Sequence, residues 1–263
     1  MLDQTTREKI VDALFATYRS MKPMPLPTKT WPGIEVEDAY RIQQAFINRK
    51  VAAGGKVKGY KVGLTSKAMQ EFSGTTEPDF SAITDDFFMP EATPIPMSRF
   101  FAPMIEMEIA FVMKEPLKGP GVLPVDVIRA TDFVLPAIEI VDFRVERGPG
   151  LSVIDNIADL AFCGAVVLGA NPRRLDQIDI RRVQGAIYRN GTKELEGEAS
   201  AVLGNPVTAV AWLANKLGEF GTSFQPGDTI LTGSFVRVLP IEAGDEFVCR
   251  FDQGLGEVST NFV

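Results

Sequence analysis

The sequence predicts an α+β fold, with a helical lobe over residues 1–56 and a strand-rich body over residues 57–263. Three observations carry that prediction. Apolar residues recur at helical spacing in two early segments and once more near residue 210. From Val57 onward, short apolar runs alternate with Gly, Pro, Asn and Asp turn signals. No short-period repeat or low-complexity tract breaks the pattern.

In chain order, Ile10, Val11, Leu14, Phe15 and Tyr18 form the stripe of a first helix from Thr6 to about Ser20. Thr5 or Thr6 caps it, and the Pro-rich stretch from Lys22 to Pro32 ends it. A second helix follows from about Val36 to Ala53, with Tyr40, Gln43, Phe46 and Ile47 on one face and Gly54-Gly55 as its stop. Val57 to Thr65 reads as a strand broken by glycines, after which Ser66 caps a short helix through Met69 and Phe72. Glu77-Pro78-Asp79-Phe80 and Thr84-Asp85-Asp86-Phe87-Phe88 are two clusters of acids and aromatics expected in loops. Asp155 to Leu168 runs into a further apolar stretch with an isolated Asp159. Asn190-Gly191 marks a hairpin of type I′. Pro206 opens a late helix with Val210, Leu213, Ala214 and Leu217 as its stripe and Gly218 as its end. Turns at Gln225-Pro226-Gly227-Asp228 and Ala243-Gly244-Asp245 then each precede a strand.

Two apolar runs carry acids where acids are costly. They are Pro103 to Val112, holding Glu106 and Glu108, and Phe133 to Val141, holding Glu139. Side chains alternate along a strand, so Glu106 and Glu108 point the same way, roughly 7 Å apart. Glu139 lies in a run that is apolar on both faces, the mark of a strand buried on each side. Buried carboxylates need counter-charge, and three of them need more than one lysine supplies. Oxygen-only ligands suit a hard divalent cation, Mg²⁺ or Mn²⁺. The alternative for Glu106 and Glu108 is an edge strand that turns them to solvent.

Composition narrows the chemistry further. The chain of 263 residues has no histidine, which removes Ser-His-Asp and Cys-His nucleophiles and His-bound zinc. Acid–base work falls to Asp, Glu, Lys, Tyr, Cys or metal-bound water. Cys163 and Cys249 sit in apolar segments as small core residues, so no disulfide framework is expected. With no signal-peptide pattern at the start and no apolar run of membrane-span length, a cytoplasmic location is expected, with no membrane partner. A net charge of −7 without a basic block argues against nucleic acid.

Among the remaining polar residues, Lys61 sits mid-strand between Gly59 and Gly63, which permit close approach of a backbone or ligand. It either snorkels from an edge or balances the glutamates and binds an anion. Asp79 is either turn chemistry or an acid whose pKa an apolar ring raises, and the same choice applies to Asp86. Thr232-Gly233-Ser234 is a kink with hydroxyls or a set of backbone N–H groups for a carboxylate.

Several separated motifs together resemble the hydratase/decarboxylase family of aromatic meta-cleavage pathways, within the fumarylacetoacetate-hydrolase-like superfamily. They run from Gly59 to Gln70 (Gly-Tyr-Lys-Val-Gly-Leu-Thr-Ser-Lys-Ala-Met-Gln), Glu77 to Phe80, Glu106-Met107-Glu108, Pro136 to Glu139, and Val210 to Leu217. The resemblance covers nearly the whole chain. It implies a mixed β-sandwich or β-roll of the fumarylacetoacetate-hydrolase C-terminal type after the helical part. It implies Mg²⁺ or Mn²⁺ held by Glu106, Glu108 and Glu139, with Lys61 and Asp79 as the active-site lysine and acid. Leu64, Thr232, Gly233 and Ser234 are the expected substrate contacts. The implied activity is addition of water to a 2-oxo-enoate or 2-hydroxydienoate, a small-molecule 2-oxo acid, by a homo-oligomer. The alternatives are decarboxylation of a 2-oxo-3-enedioate, C–C hydrolysis of an acylpyruvate, and a non-catalytic homologue. Glu139, where the superfamily's hydrolases more often have Asp, leans away from hydrolysis, and Asp79 leans towards hydration. Two stretches depart from the family pattern. Ser81 stands where Gly is usual, and Asp159-Leu160-Ala161-Phe162 stands where the family has Asp-Asn-Ala before its late strand.

Overall fold

The computed structural model describes residues 1–91 and 93–263, with the side chains of Ala68 and Phe72 left aside. Helix α1 (Gln4–Ser20) buries Ile10, Val11 and Leu14. Its cap is Asp3, whose carboxylate accepts from Thr6 N at 2.7 Å; Thr5 and Thr6 lie inside the helix. An ionised carboxylate at this position also meets the positive end of the helix dipole, which a threonine hydroxyl does not exploit. The Pro-rich stretch contains one further turn of helix, α2 (Pro27–Thr30), and α3 (Val36–Ala52) buries Tyr40, Gln43, Phe46 and Ile47 as the stripe requires.

The body begins with β1 (Val57–Gly63), then α4 (Lys67–Ser73), capped by the Ser66 hydroxyl. Next is β2 (Asp79–Thr84), a correction to the expected loop: Asp79 opens a strand that pairs antiparallel with β1. Pairing to a formed neighbour satisfies the backbone of residues whose own propensities favour turns. Asp85–Phe87 form a 3-10 turn into β3 (Phe88–Met89), followed by β4 (Met104–Met113), α5 (Pro124–Ala130) and β5 (Thr131–Val141). Helix α6 (Val153–Ala158) and a tight turn at Leu160–Phe162 lead to β6 (Cys163–Leu168). The hairpin β7 (Gln184–Arg189) and β8 (Thr192–Glu198) turns at Asn190 and Gly191, whose φ values of 51° and 80° are those a type I′ turn needs. Helix α7 (Pro206–Glu219) runs past Gly218, which packs on the Gly119 backbone instead of ending it; a Cβ there would lie 2.7 Å from the Gly119 carbonyl oxygen. The tail supplies β9 (Thr229–Leu231), β10 (Leu239–Pro240), β11 (Glu246–Phe251) and β12 (Gly256–Asn261).

Eight strands form one sheet in the order β2-β1-β9-β4-β5-β6-β3, with β10 also on β4, and four form a second in the order β12-β11-β7-β8. Strands β9 and β10 pair with β4 at Ala110–Val112 and Met104–Ile105 respectively, so the stretch of β4 between them lacks a strand on that side. Alternation then divides the large sheet. Its Met107 face packs on the second sheet, where Gly185 leaves room for the Met107 sulfur, and Phe80 on β2 stacks on Tyr40 of α3. The opposite face carries the acids.

Candidate active site

The site is built on strand register. Glu106 on β4 lies directly opposite Glu139 on β5, and Glu108 lies opposite Ala137, so all three glutamates share one face. Like charges directly opposed across strands are unfavourable, and here Glu139 is also fully buried and Glu106 half-buried. One carboxylate oxygen from each of Glu106, Glu108 and Glu139 lies within 4.8 Å of the others. Register through β9 places Lys61 on the same face, since Lys61 pairs with Leu231 and Leu231 with Ala110. Its Nζ donates to Glu139 Oε1 at 2.6 Å and to the Ala161 carbonyl at 2.8 Å, with both charged groups buried. Lysine and glutamates therefore meet across 78 residues of chain.

Asp79, at the start of β2, is opposite Gly63. Gly63 is required there: a Cβ would sit 2.2 Å from Asp79 Oδ1. The other flanking glycine, Gly59, admits the Thr229 backbone of β9. Asp79 Oδ2 accepts from the side-chain amide of Asn156 on α6. Glu108 Oε2 accepts from Gly233 N at 2.7 Å, while the Thr232 hydroxyl donates to the Ile109 carbonyl at 3.1 Å and the Ser234 hydroxyl to the Val236 carbonyl at 2.9 Å. Of the two readings of this triplet, a kink and a backbone donor for a carboxylate, the structure has both: the hydroxyls shape the turn and the Gly233 N–H holds Glu108. Leu64 is half-buried at the end of β1 with φ 54°, and its carbonyl accepts from the Gln70 amide at 2.9 Å.

Four carboxylates thus face one ammonium, and the electrostatics record the imbalance. Burial, then Glu139, pushes Glu106 up to about 7. Burial and the two neighbouring glutamates raise Glu108 well above the usual carboxylate range. Burial alone would lower the Lys61 pKa, but Glu139, Glu106 and Glu108 reverse that and raise it, so Lys61 stays charged. Asp79 is pushed up to about 6, chiefly by burial, with Lys61 pulling the other way. Glu108 Oε1, Glu139 Oε2 and Asp79 Oδ1 are buried with no hydrogen-bond partner. Unsatisfied buried oxygens are rare in folded proteins and call for an ion, water or ligand. The three oxygens lie near enough to one another for a single ion to sit among them. The donor set, all carboxylate oxygen, fits a hard divalent cation.

Asp86 is elsewhere: it pairs with Lys50 at 2.7 Å and accepts from the Thr84 hydroxyl. Asp159 is taken by the buried guanidinium of Arg144. Both cysteines are buried and free. Sequence reasoning missed Asn156 and Gln43, an amide on α3 that donates to the carbonyls of Phe80 and Ile157. Gln43 sits on the apolar stripe of its helix, and a polar residue in that position was the one available signal.

Residues 51–263 match the family described as fumarylacetoacetate (FAA) hydrolase C-terminal, and the chain belongs to that family. Among its relatives, a 2-oxo-hept-4-ene-1,7-dioate hydratase of Escherichia coli is 40% identical over 269 aligned positions and spans all of both chains. A 4-oxalocrotonate decarboxylase of Pseudomonas sp. (strain CF600) is 36% identical over 240 positions, 91% of this chain and 90% of that one. The solved 4-oxalocrotonate decarboxylase from Pseudomonas putida G7, complexed with magnesium and adipate, superposes with a TM-score of 0.96 at 33% identity, covering 100% of this chain and 99% of that one. The α+β fold and the family expected from the motifs are those found. Among the described residues, no helix is long and apolar enough to cross a membrane.

Proposed function

We propose that this protein is a divalent-metal-dependent hydro-lyase that adds water to a 2-oxo-enoate or 2-hydroxydienoate of aromatic meta-cleavage catabolism. The observation that carries the reading is the convergent glutamate trio, with unpartnered buried oxygens on Glu108 and Glu139, beside Lys61 and Asp79. Its full-length similarity to a hydratase supports the same reading. Glu106, Glu108 and Glu139 would hold Mg²⁺ or Mn²⁺. Such an ion supplies Lewis-acid polarisation of a 2-oxo group and counter-charge for the adjacent carboxylate.

The residues of this chain do the rest. Asp79, with a pKa near 6 and one free oxygen, takes and returns a proton at the substrate carbon skeleton close to neutral pH. Lys61 fixes Glu139 and adds positive charge beside an anionic substrate. The Gly233 N–H orients Glu108, and Leu64 with Thr232 and Ser234 borders the substrate. The catalytic residues all fall in the 57–263 part, with residues 1–56 as a helical lobe against it. A homo-oligomer accords with the exposed apolar strip of Leu123, Val125 and Ile128.

The test is loss of dienoate absorbance by metal-stripped protein before and after Mg²⁺ or Mn²⁺ is restored, with product analysis in isotopically labelled water. Turnover that depends on the ion and places labelled oxygen in the product is expected. Carbon dioxide release without labelled oxygen would replace hydration by decarboxylation, the activity for which the Pseudomonas putida G7 structural relative is named. Full activity after verified metal removal would sink both.

A further inference from the structure

Among the described residues, Asn156 is the one side chain that hydrogen-bonds Asp79, through its amide N–H to Oδ2. The remaining oxygens of the two groups, Asp79 Oδ1 and Asn156 Oδ1, are both buried and unpartnered. Leu160, where the resembled family has Asn, is buried and has no polar side-chain group to offer. Asn156 is held from two directions. The adjacent Asp155 closes a capping box with Ser152 and also accepts from the N–H and hydroxyl of Thr28 on α2, at 2.9 and 2.8 Å. Gln43 on α3 donates from a single nitrogen to the carbonyls of Phe80 and Ile157, both at 2.9 Å. Those two residues directly follow Asp79 and Asn156, so one amide ties together the backbones that carry the pair.

We infer that Asn156 is a positioning residue for Asp79: it pins one carboxyl oxygen and leaves the other for the substrate. An unpinned aspartate turns freely about its terminal torsion, and a misplacement near 1 Å costs on the order of a hundredfold in rate. Only the N–H end of an amide can face an ionised carboxylate, which sets the direction of the bond. The N-terminal helices thereby act on the chemistry, through Gln43 and Thr28, without touching the substrate. This inference rests on the assignment of Asp79 as the proton-transferring group.

The experiment is a double-mutant cycle on the metal-loaded full chain. Asn156→Ala is expected to lower kcat at least about tenfold with KM within about threefold and Tm within a few degrees. In an Asp79→Asn background the same substitution is expected to change kcat by less than about twofold, because the group it acts on is gone. A kcat within twofold of the parent, or effects that simply multiply, would overturn the inference. If the parent shows no turnover, the proposed function has failed on its own, and the contact is tested by NMR. The side-chain amide signal of Asn156, identified by its loss in Asn156→Ala, should move on Asp79→Asn. A signal that stays put overturns the inference independently of activity.

Discussion

Two buried ionic clusters lie side by side in this molecule and differ in how completely they are bonded. In the first, Arg144 donates from Nε to Asp159. From Nη1 it reaches Tyr18 at 3.2 Å and the Cys163 carbonyl at 2.7 Å, and from Nη2 the Asp142 and Asp159 carbonyls. Asp159 also takes the Arg144 N–H, and the Asp142 carboxylate takes the N–H groups of Phe101 and Ala102. Although burial disfavours the guanidinium, Asp159 and its neighbours raise the Arg144 pKa, and every polar atom has a partner. In the second, Glu106, Glu108, Glu139 and Asp79 share Lys61, and three of the four acids keep an oxygen with nothing bound to it. A satisfied buried charge network is architecture. One left open keeps binding capacity for something outside the chain.

The contrast predicts opposite responses to neutralisation. Arg144→Leu leaves Asp159 buried and unpaired, so denaturant unfolding should show a loss of about 3–5 kcal/mol that no divalent ion restores. A loss under about 1 kcal/mol would put the two clusters in one class. The open cluster should instead make the metal-free protein less stable as pH rises. The Asp79 pKa is about 6 in the folded chain against the ordinary 3.8, so the folded state holds its proton longer than the unfolded one. Stability from this group is complete below pH about 4 and is lost as pH rises through about 6, on the order of 3 kcal/mol in total. Chemical unfolding in excess chelator at pH 4.5 and 7.5 measures it. Asp79→Asn should flatten the slope; a slope unchanged by that substitution assigns it to other groups.

Glu108→Gln should weaken Mg²⁺ or Mn²⁺ binding by about ten- to a hundredfold in calorimetry while leaving the metal-free stability equal or higher, since the Gly233 N–H keeps an acceptor and a carboxyl that is costly to bury becomes a neutral amide. Metal affinity within twofold of the parent would mean that the trio does not converge on an ion. The smallest effect belongs to the rim of the closed cluster. Tyr18→Phe removes one bond to Arg144 from α1, and a loss of about 0.5–1.5 kcal/mol by denaturant titration is expected, with ion binding untouched.

Much of the open cluster was legible in the sequence. Glu106 and Glu108 announced themselves by a spacing of two in an apolar run, Glu139 by an apolar run on both sides of it, and Lys61 by its flanking glycines. The closed cluster was invisible, because Asp159 read as an isolated acid and no motif or spacing marked Arg144. Asp79 was expected in a loop because its strand exists only once β1 is there to pair with it. Asn156 lay four residues before the departure at Leu160 that drew attention, and its partner is 77 residues away.

By itself, then, the sequence determined which residues alternate, where helices α1, α3, α4 and α7 lie, where the Asn190-Gly191 hairpin turns and which acids are expensive to bury, since those are properties of neighbours along one chain. Tertiary structure decided which acid faces which: that Glu106 opposes Glu139, that Lys61 reaches Glu139, and that Asn156 meets Asp79 while Arg144 claims Asp159. The reason is physical. Strand register and helix docking are fixed by the whole core at once, and a shift of one residue in β4 against β5 would turn the glutamates to the other face and dissolve the site.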